Sequence, residues 1–422
     1  MKRIISILLC VVLAISLVAC NNDATGDASS SKASSNSKPA SSTTASSEEV
    51  SSSVGSSEAQ TSSSDVPSVI PTVNNYQKTT YNFVEITDYF HITGRTAVGT
   101  STEATGSKAG MVYDHAAQGL LFKADCEGDI TLSLALSMRD KDNTHYYTVY
   151  IDGVKQDRVS VKGTSGAEAL VELKVASGLK RGVHNIEVYR NHESIIGIST
   201  LLSVTMNGVP QKWVNDTNKL RIEFIGDSIT SGSGLYGQNG AADQGDVKYS
   251  DATASYAFLT ARALNAEASI VGRSGMMFTA KENNPALMYK HYNTLSYARD
   301  KNLAYDNTKM DVDLYVIALG ANDAKGYYKD EDLTAKAKTA LETVRKDHPN
   351  AKILWVYGQL HNDGKAAVEA AVEQMGGAEK GFYFYCCTIP DMSGSSAHPN
   401  AEAQKRDADE IVNFIKNTIK LK

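Results

Sequence analysis

Cysteine is scarce in this chain, and positive charge is not in excess. The 422 residues hold five cysteines, too few for a disulfide framework. Cys10 lies inside the N-terminal apolar stretch and Cys20 at its end. The other three, Cys126 and the adjacent Cys386 and Cys387, fit no zinc-ligand spacing, so a zinc-finger protein is excluded. The 42 lysines and arginines are outnumbered by 48 aspartates and glutamates, for a formal net charge of −6. Nucleic-acid binding needs a basic face that displaces phosphate counterions, so no nucleic-acid partner is expected. There is no internal repeat of fixed period. What is present is length: one hydrophobic core rarely serves more than about 250–300 residues, so two or more domains are expected.

Lys2 and Arg3 precede an apolar run from Ile4 to Ala19. The run is short for a bilayer span of about 20 residues, and a cleaved signal fits it better than a membrane helix. It ends in Leu17-Val18-Ala19-Cys20, which resembles a bacterial lipobox. The resemblance implies a signal peptide over 1–19, cleavage before Cys20, and a lipid on the Cys20 sulfur. Such a lipid tethers an extracellular protein to the cell membrane without spanning it. An ordinary secretory signal with a coincidental cysteine is the plainer alternative. Residues 20–70 are dominated by serine and have almost nothing large and apolar to bury. They are expected to be a disordered linker with a reach of about 40 Å.

Two periodicities follow. Over 71–213 apolar residues alternate with period two, as at Ile130-Leu132-Leu134-Leu136 and Tyr147-Val149-Ile151. Asp152-Gly153 supplies a tight hairpin turn. Ser177-Gly178 and Arg181-Gly182 are read as further turns between strands. No amphipathic helix interrupts the pattern, so a β-sandwich of jelly-roll type is expected. Over 214–422 apolar strands at Leu220–Ile225, Ala268–Val271, Leu314–Leu319, Ile353–Tyr357 and Phe382–Cys386 alternate with helical stretches. The clearest helix is Asp332 to Lys346, with Leu333, Ala337, Ala340, Leu341 and Val344 on one stripe. This alternation reads as an α/β domain built on a parallel, doubly wound sheet.

In such sheets ligands bind outside the carboxyl ends of the strands. The loops leaving those ends are 226–230, 272–275, 320–323, 358–361 and 388–398. Ser228 follows a buried strand, where a serine nucleophile would have backbone N–H groups beside it; a helix N-cap is the bland alternative. His361 and His398 both fall on this rim, and topology alone leaves either as the base. Asn322 could donate to an oxyanion or merely form a turn, and Gly275 could present a bare N–H or be a simple turn glycine. Asp227 and Asp323 are expected to bond neighbouring backbone. Gly232-Ser233-Gly234-Leu235-Tyr236-Gly237 spells G-x-G-x-x-G but lies beyond the strand-to-helix turn, with no acid closing the next strand, so a nucleotide cofactor is not expected.

Gly226-Asp227-Ser228-Ile229-Thr230, Gly275, Gly320-Ala321-Asn322-Asp323 and His398-Pro399 together resemble the ordered blocks of the SGNH (GDSL-type) hydrolases. Tyr150-Ile151-Asp152-Gly153, Gly182-Val183-His184-Asn185 and Arg190-Asn191-His192-Glu193 resemble the jelly-roll domain of carbohydrate esterase family two. The resemblance implies an esterase that removes O-acetyl groups from polysaccharides such as xylan or glucomannan, with no metal or organic cofactor. It makes Ser228 the nucleophile and His398 the base. The oxyanion hole would comprise the N–H groups of Ser228 and Gly275 and the Asn322 side chain. One departure stands out: Ser395 and Ser396 occupy the positions where the family places an aspartate that orients the histidine. Either a backbone carbonyl replaces it or Asp391 folds back as a third catalytic residue. Ala397 also replaces a frequent aromatic. The missing aspartate leaves a non-catalytic carbohydrate-binding lipoprotein as one rival, and an esterase or lipase for another acyl ester as the second.

Overall fold

The computed structural model describes residues 76–101, 105–138, 144–165, 167–280, 283–299, 303–323 and 329–421. The signal segment 1–19, Cys20 and the serine-rich segment 20–70 lie outside the described residues.

The alternating stretches form long strands. Gly119–Met138 holds Ile130, Leu132, Leu134 and Leu136 fully buried, and it pairs with Ala169–Arg190 on one side and Ser199–Gln211 on the other. The hydrogen-bonded order runs Val98–Thr100, Ala109–Val112, Ser199–Gln211, Gly119–Met138, Ala169–Arg190, Thr144–Ile151, Val154–Lys155. Four shorter strands complete an eleven-stranded system, antiparallel apart from a two-residue contact between Ser137–Met138 and Thr164–Ser165. Its core gathers Phe83, Phe122, Leu132, Val149 and Val204. Asp152-Gly153 makes the expected hairpin, with φ of 52° and 79°, as a primed two-residue turn requires.

Ser177-Gly178 and Arg181-Gly182 do not end strands as expected. They are register shifts inside the single strand Ala169–Arg190. Gly178 (φ 62°) and Gly182 (φ 155°) absorb the extra residues while pairing with Gly119–Met138 resumes beyond them. A glycine in a strand signals a bulge as readily as a turn, and here the partner strand is long enough for the ladder to continue.

The parallel sheet has the order Glu267–Gly272, Arg221–Gly226, Leu314–Ala318, Lys352–Tyr357, Phe382–Cys386. Its side chains alternate between two cores, as a doubly wound sheet demands. Phe224, Val316 and Leu354 pack with Tyr256 and Phe258 of helix Tyr256–Ala263 and with Ala408 and Ile411 of helix Ala401–Phe414. Ile225, Ile317 and Trp355 pack on the other face with helices Asp330–Asp347 and Lys365–Gln374. The buried stripe of Asp330–Asp347 is Leu333, Ala337, Ala340, Leu341 and Val344, as the spacing predicts. The antiparallel and parallel parts belong to one compact unit. They are joined by buried polar contacts, chief among them the fully enclosed pair Arg95–Glu223.

Candidate active site

The strand Arg221–Gly226 delivers Ser228 to the carboxyl rim. Asp227 Oδ1 accepts the Ile229 N–H at 2.9 Å, and the Ser228 carbonyl accepts the Ser233 N–H at 2.9 Å. The chain therefore turns sharply at the serine, whose hydroxyl is turned toward the last rim loop. His398 Nε2 lies 2.8 Å from Ser228 Oγ. His398 Nδ1 lies 3.0 Å from the carbonyl oxygen of Ser395. A carbonyl can only accept, so Nδ1 carries the proton and Nε2 presents its lone pair to the serine hydroxyl. Burial lowers the His398 pKa below the ordinary imidazole value, and the Ser395 bond only partly offsets this.

The loop that carries His398 is tightly drawn. Ser396 (φ 56°) and Ala397 (φ 58°) both sit in the left-handed region, rare for two consecutive non-glycine residues. The surroundings hold them there. The Ser395 N–H donates to the Gly234 carbonyl at 2.8 Å, the Gly245 N–H donates to Ser395 Oγ at 2.8 Å, and the Gly394 N–H donates to the His398 carbonyl at 2.8 Å. Gly234 belongs to the G-x-G-x-x-G run. Its φ is 70°, and a Cβ there would stand 2.5 Å from the Ser395 carbonyl oxygen. That run lets the histidine loop pack against backbone, a use that its G-x-G-x-x-G spelling does not signal.

The structure brings the other expected residues to the same rim, with differences. The backbone N–H groups of Ser228 and Gly275 have no acceptor among the described residues. Asn322 Nδ2 donates to Asp227 Oδ2 at 3.0 Å and to the Met276 carbonyl at 3.3 Å. Both of its protons are thus engaged, and one must be released before it serves an oxyanion. Burial pushes the Asp227 carboxyl up to about 7, so that acceptor's charge is itself readily lost. Asp323 accepts the Thr279 N–H at 2.8 Å, the structural role expected of it.

Two candidates are not brought to Ser228. His361 Nε2 donates to the Ala321 carbonyl at 2.9 Å, and its Nδ1 accepts the Asp363 N–H at 3.2 Å, so neither nitrogen is free. Asp391 does not reach the imidazole. Its Oδ1 accepts from Ser393 N (3.1 Å), Ser393 Oγ (2.8 Å) and Asn400 N (3.0 Å), which pins the two ends of the histidine loop. The position beside Nδ1 is filled by the Ser395 carbonyl, so the carbonyl alternative is the one realised.

A pocket of about 160 Å³ adjoins His398 at the seam between the two parts. Its walls include His192, Glu193 and Ile196 from the antiparallel part and Ser231, Asp246 and Ser274 from the parallel part. Glu193 is an unforeseen member: its carboxylate accepts from Ser274 N at 2.6 Å and from Ser274 Oγ. Among the described residues, one group of metal-competent atoms occurs, Cys387, Asp407 and Glu410, all within 4.8 Å of one another. Asp407 already bonds its helix neighbour Arg406, and Glu410 accepts from Tyr385 and Thr388, so Glu410 ties the last helix to the strand that leads to the histidine loop.

Comparison with known proteins places both halves. Residues 224–406 match the GDSL-like lipase/acylhydrolase family and residues 112–211 match the carbohydrate esterase 2 N-terminal family. A cellulase/esterase of Acetivibrio thermocellus is 28% identical over 222 residues, 51% of this chain and 26% of its own length. An acetylxylan esterase/glucomannan deacetylase of Cellvibrio japonicus is 25% identical over 238 residues, 54% of this chain and 66% of its own length. The matched segments thus span about a quarter and somewhat under two thirds of these two relatives. In fold, the chain resembles an acetyl xylan esterase from Butyrivibrio proteoclasticus, with a TM-score of 0.67 at 20% identity, over 81% of this chain and 98% of that one.

Proposed function

The chain carries a GDSL-like acylhydrolase domain behind a carbohydrate esterase 2 N-terminal domain, and from that premise we propose that it is a serine esterase. Its proposed substrate is a polysaccharide of xylan or glucomannan type bearing O-acetyl groups. The observation that carries this reading is the alignment of Ser228 Oγ, His398 Nε2 and the Ser395 carbonyl, at 2.8 and 3.0 Å.

In the proposed cycle His398 Nε2 takes the Ser228 proton as the oxygen attacks the acetyl carbonyl. The resulting imidazolium keeps its Nδ1–H on the Ser395 carbonyl. The tetrahedral oxyanion is held by the N–H groups of Ser228 and Gly275, joined by Asn322 once one of its amide protons leaves Asp227 or Met276. Each such donor is worth about 2.7–4 kcal/mol in the transition state. His398 then protonates the departing sugar oxygen, and water activated by the same imidazole releases acetate. No step calls for a metal or organic cofactor. We further propose that the enzyme is lipid-anchored through Cys20 on the outside of the cell, which the Lys2-Arg3 start, the apolar run and Leu17-Val18-Ala19-Cys20 support.

The test is acetate release from acetylated xylan and acetylated glucomannan, with Ser228→Ala as control. Turnover by the wild type and its loss in the folded variant are expected. Full residual activity in Ser228→Ala refutes the mechanism. A preference for octanoyl over acetyl esters refutes the substrate class.

A further inference from the structure

Glu193 is a carboxylate at 3% exposure that the proposed cycle does not use. An enclosed charge is costly unless its oxygens are bonded, and both of these are. One accepts the Ser274 N–H at 2.6 Å and the other the Ser274 hydroxyl. Ser274 is also held from a third side, because Arg273 Nη1 donates to its carbonyl oxygen at 2.6 Å. That carbonyl shares one peptide plane with the N–H of Gly275, and in a trans peptide the two point in opposite directions. Fixing Ser274 at its nitrogen, its hydroxyl and its carbonyl therefore fixes where the Gly275 N–H points. Gly275, at φ 74°, would otherwise be free to swing it.

We propose that Glu193 is a positioning residue contributed by the antiparallel part: by gripping Ser274 across the seam it aims the Gly275 N–H at the oxyanion. The proposal rests on the esterase reading above. The segment that bears Glu193 is itself hydrogen-bonded on both sides of the seam. Arg190 Nη1 donates to the Tyr113 carbonyl at 3.0 Å, the Asn191 carbonyl accepts the Ala252 N–H at 3.1 Å, and His192 Nε2 accepts the Tyr146 N–H at 3.2 Å. The grip is more than one staple among many. The two parts are already locked by Arg95–Glu223 and Asp114–Arg299, so Ser274 is not needed to hold them together.

Full-length wild type, Glu193→Ala, Glu193→Gln and Glu193→Asp are compared for kcat and KM on p-nitrophenyl acetate and for melting temperature. Losing or misdirecting one oxyanion donor lowers kcat by about 10²–10³-fold. Glu193→Ala is expected to lose about 10²-fold in kcat with KM within about threefold of wild type, since the N–H matters in the transition state and not in ground-state binding. Glu193→Gln keeps an acceptor for the Ser274 N–H, and the Ser274 hydroxyl can turn to accept from the new amide, so kcat recovers to within about tenfold of wild type. Glu193→Asp keeps the charge but retracts it by one methylene, and it behaves like Ala; it carries the test if the Ala variant does not fold. A kcat within threefold of wild type in folded Ala or Asp variants overturns the proposal, as does an equal loss in Gln and Ala. Absence of ester turnover in the wild type itself overturns the esterase reading instead.

Discussion

Replacing Asp391 by asparagine separates the two ways of orienting His398. Where a buried aspartate fixes the tautomer of a catalytic histidine, its change to the amide lowers kcat by about 10⁴-fold, because the ring then presents the wrong nitrogen. Here the Nδ1–H is taken by the Ser395 carbonyl at 3.0 Å, which no side-chain substitution removes. Asp391 instead receives three bonds at one oxygen, from Ser393 N, Ser393 Oγ and Asn400 N. Burial pushes its carboxyl up, but the bonds from Asn400 and Ser393 hold it below the ordinary value, as expected of a charge-bearing acceptor. An asparagine Oδ1 can accept the same three donors without charge assistance.

The expected cost is therefore about 1–2 kcal/mol of stability, read as a melting point a few degrees lower. The kcat on p-nitrophenyl acetate should stay within about threefold of wild type, against the about 10⁴-fold expected of a triad aspartate. The assay is steady-state kinetics beside thermal melting on the same preparations. A loss of about 10³-fold or more in a variant that melts like the wild type would refute the carbonyl reading, because only a carboxylate in contact with the imidazole during turnover could cause it.

Gly234→Ala forces a Cβ to within 2.5 Å of the Ser395 carbonyl oxygen at a φ of 70°. It should cost about 1–2 kcal/mol in backbone strain alone. The displaced histidine loop should lower kcat by about 10²-fold, the scale of an ångström-sized misplacement; kinetics matching the wild type would show that the loop does not depend on this contact. The pH profile follows from His398. The imidazole must be neutral to take the Ser228 proton, and burial lowers its pKa from 6.5. Activity should therefore persist as the pH falls past 6.5 and be lost only below it. A kcat/KM acid limb whose midpoint lies at or above 6.5 would contradict the desolvated geometry.

The parallel half was the more legible part of the sequence. Its five strands and the stripe of helix Asp330–Asp347 lie where apolar periodicity places them, because residues buried on two faces leave little room for another period. Ser228, Gly275, Asn322 and His398 arrive on one rim for the same reason: carboxyl ends of parallel strands share an edge. The antiparallel half was legible in face but not in length, since Gly178 and Gly182 carry no local mark that distinguishes a bulge from a turn. The third group of the site was legible only as two alternatives, a backbone carbonyl or Asp391, with nothing to say which carbonyl. A backbone carbonyl has no letter in the sequence, and the consecutive left-handed residues Ser396 and Ala397 that turn the chain back on itself are not types that favour that conformation. Glu193 is visible in the sequence only as part of the sandwich resemblance, because its partner Ser274 is 81 residues away and belongs to the other periodicity.

The ionic groups enclosed at the seam explain why such a distant residue can still be part of the site. Arg95 spends its donors on Glu223, on the carbonyls of His291, Tyr292 and Thr294, and on Asn307. Asp114 is bonded by Arg299 at 2.8 Å and Ser296 at 2.7 Å. Pairs of this kind add little net stability over apolar packing, yet breaking one costs about 3–5 kcal/mol because the remaining charge is left enclosed and alone. Their effect is on arrangement. An apolar seam tolerates sliding by a fraction of an ångström, whereas each of these charges meets its opposite in one relative position of the two sheets. That position is the one in which the 190–193 segment reaches Ser274 and the Arg158 guanidinium reaches the carbonyls of Lys248 and Ser250 at 2.7 and 2.9 Å. The loop so held is the one that carries Gly245 to Ser395. Orientation of the Gly275 N–H and of the His398 ring thus both trace back to contacts made by the antiparallel sheet, so the two halves have to be placed as one body for the proposed chemistry to run.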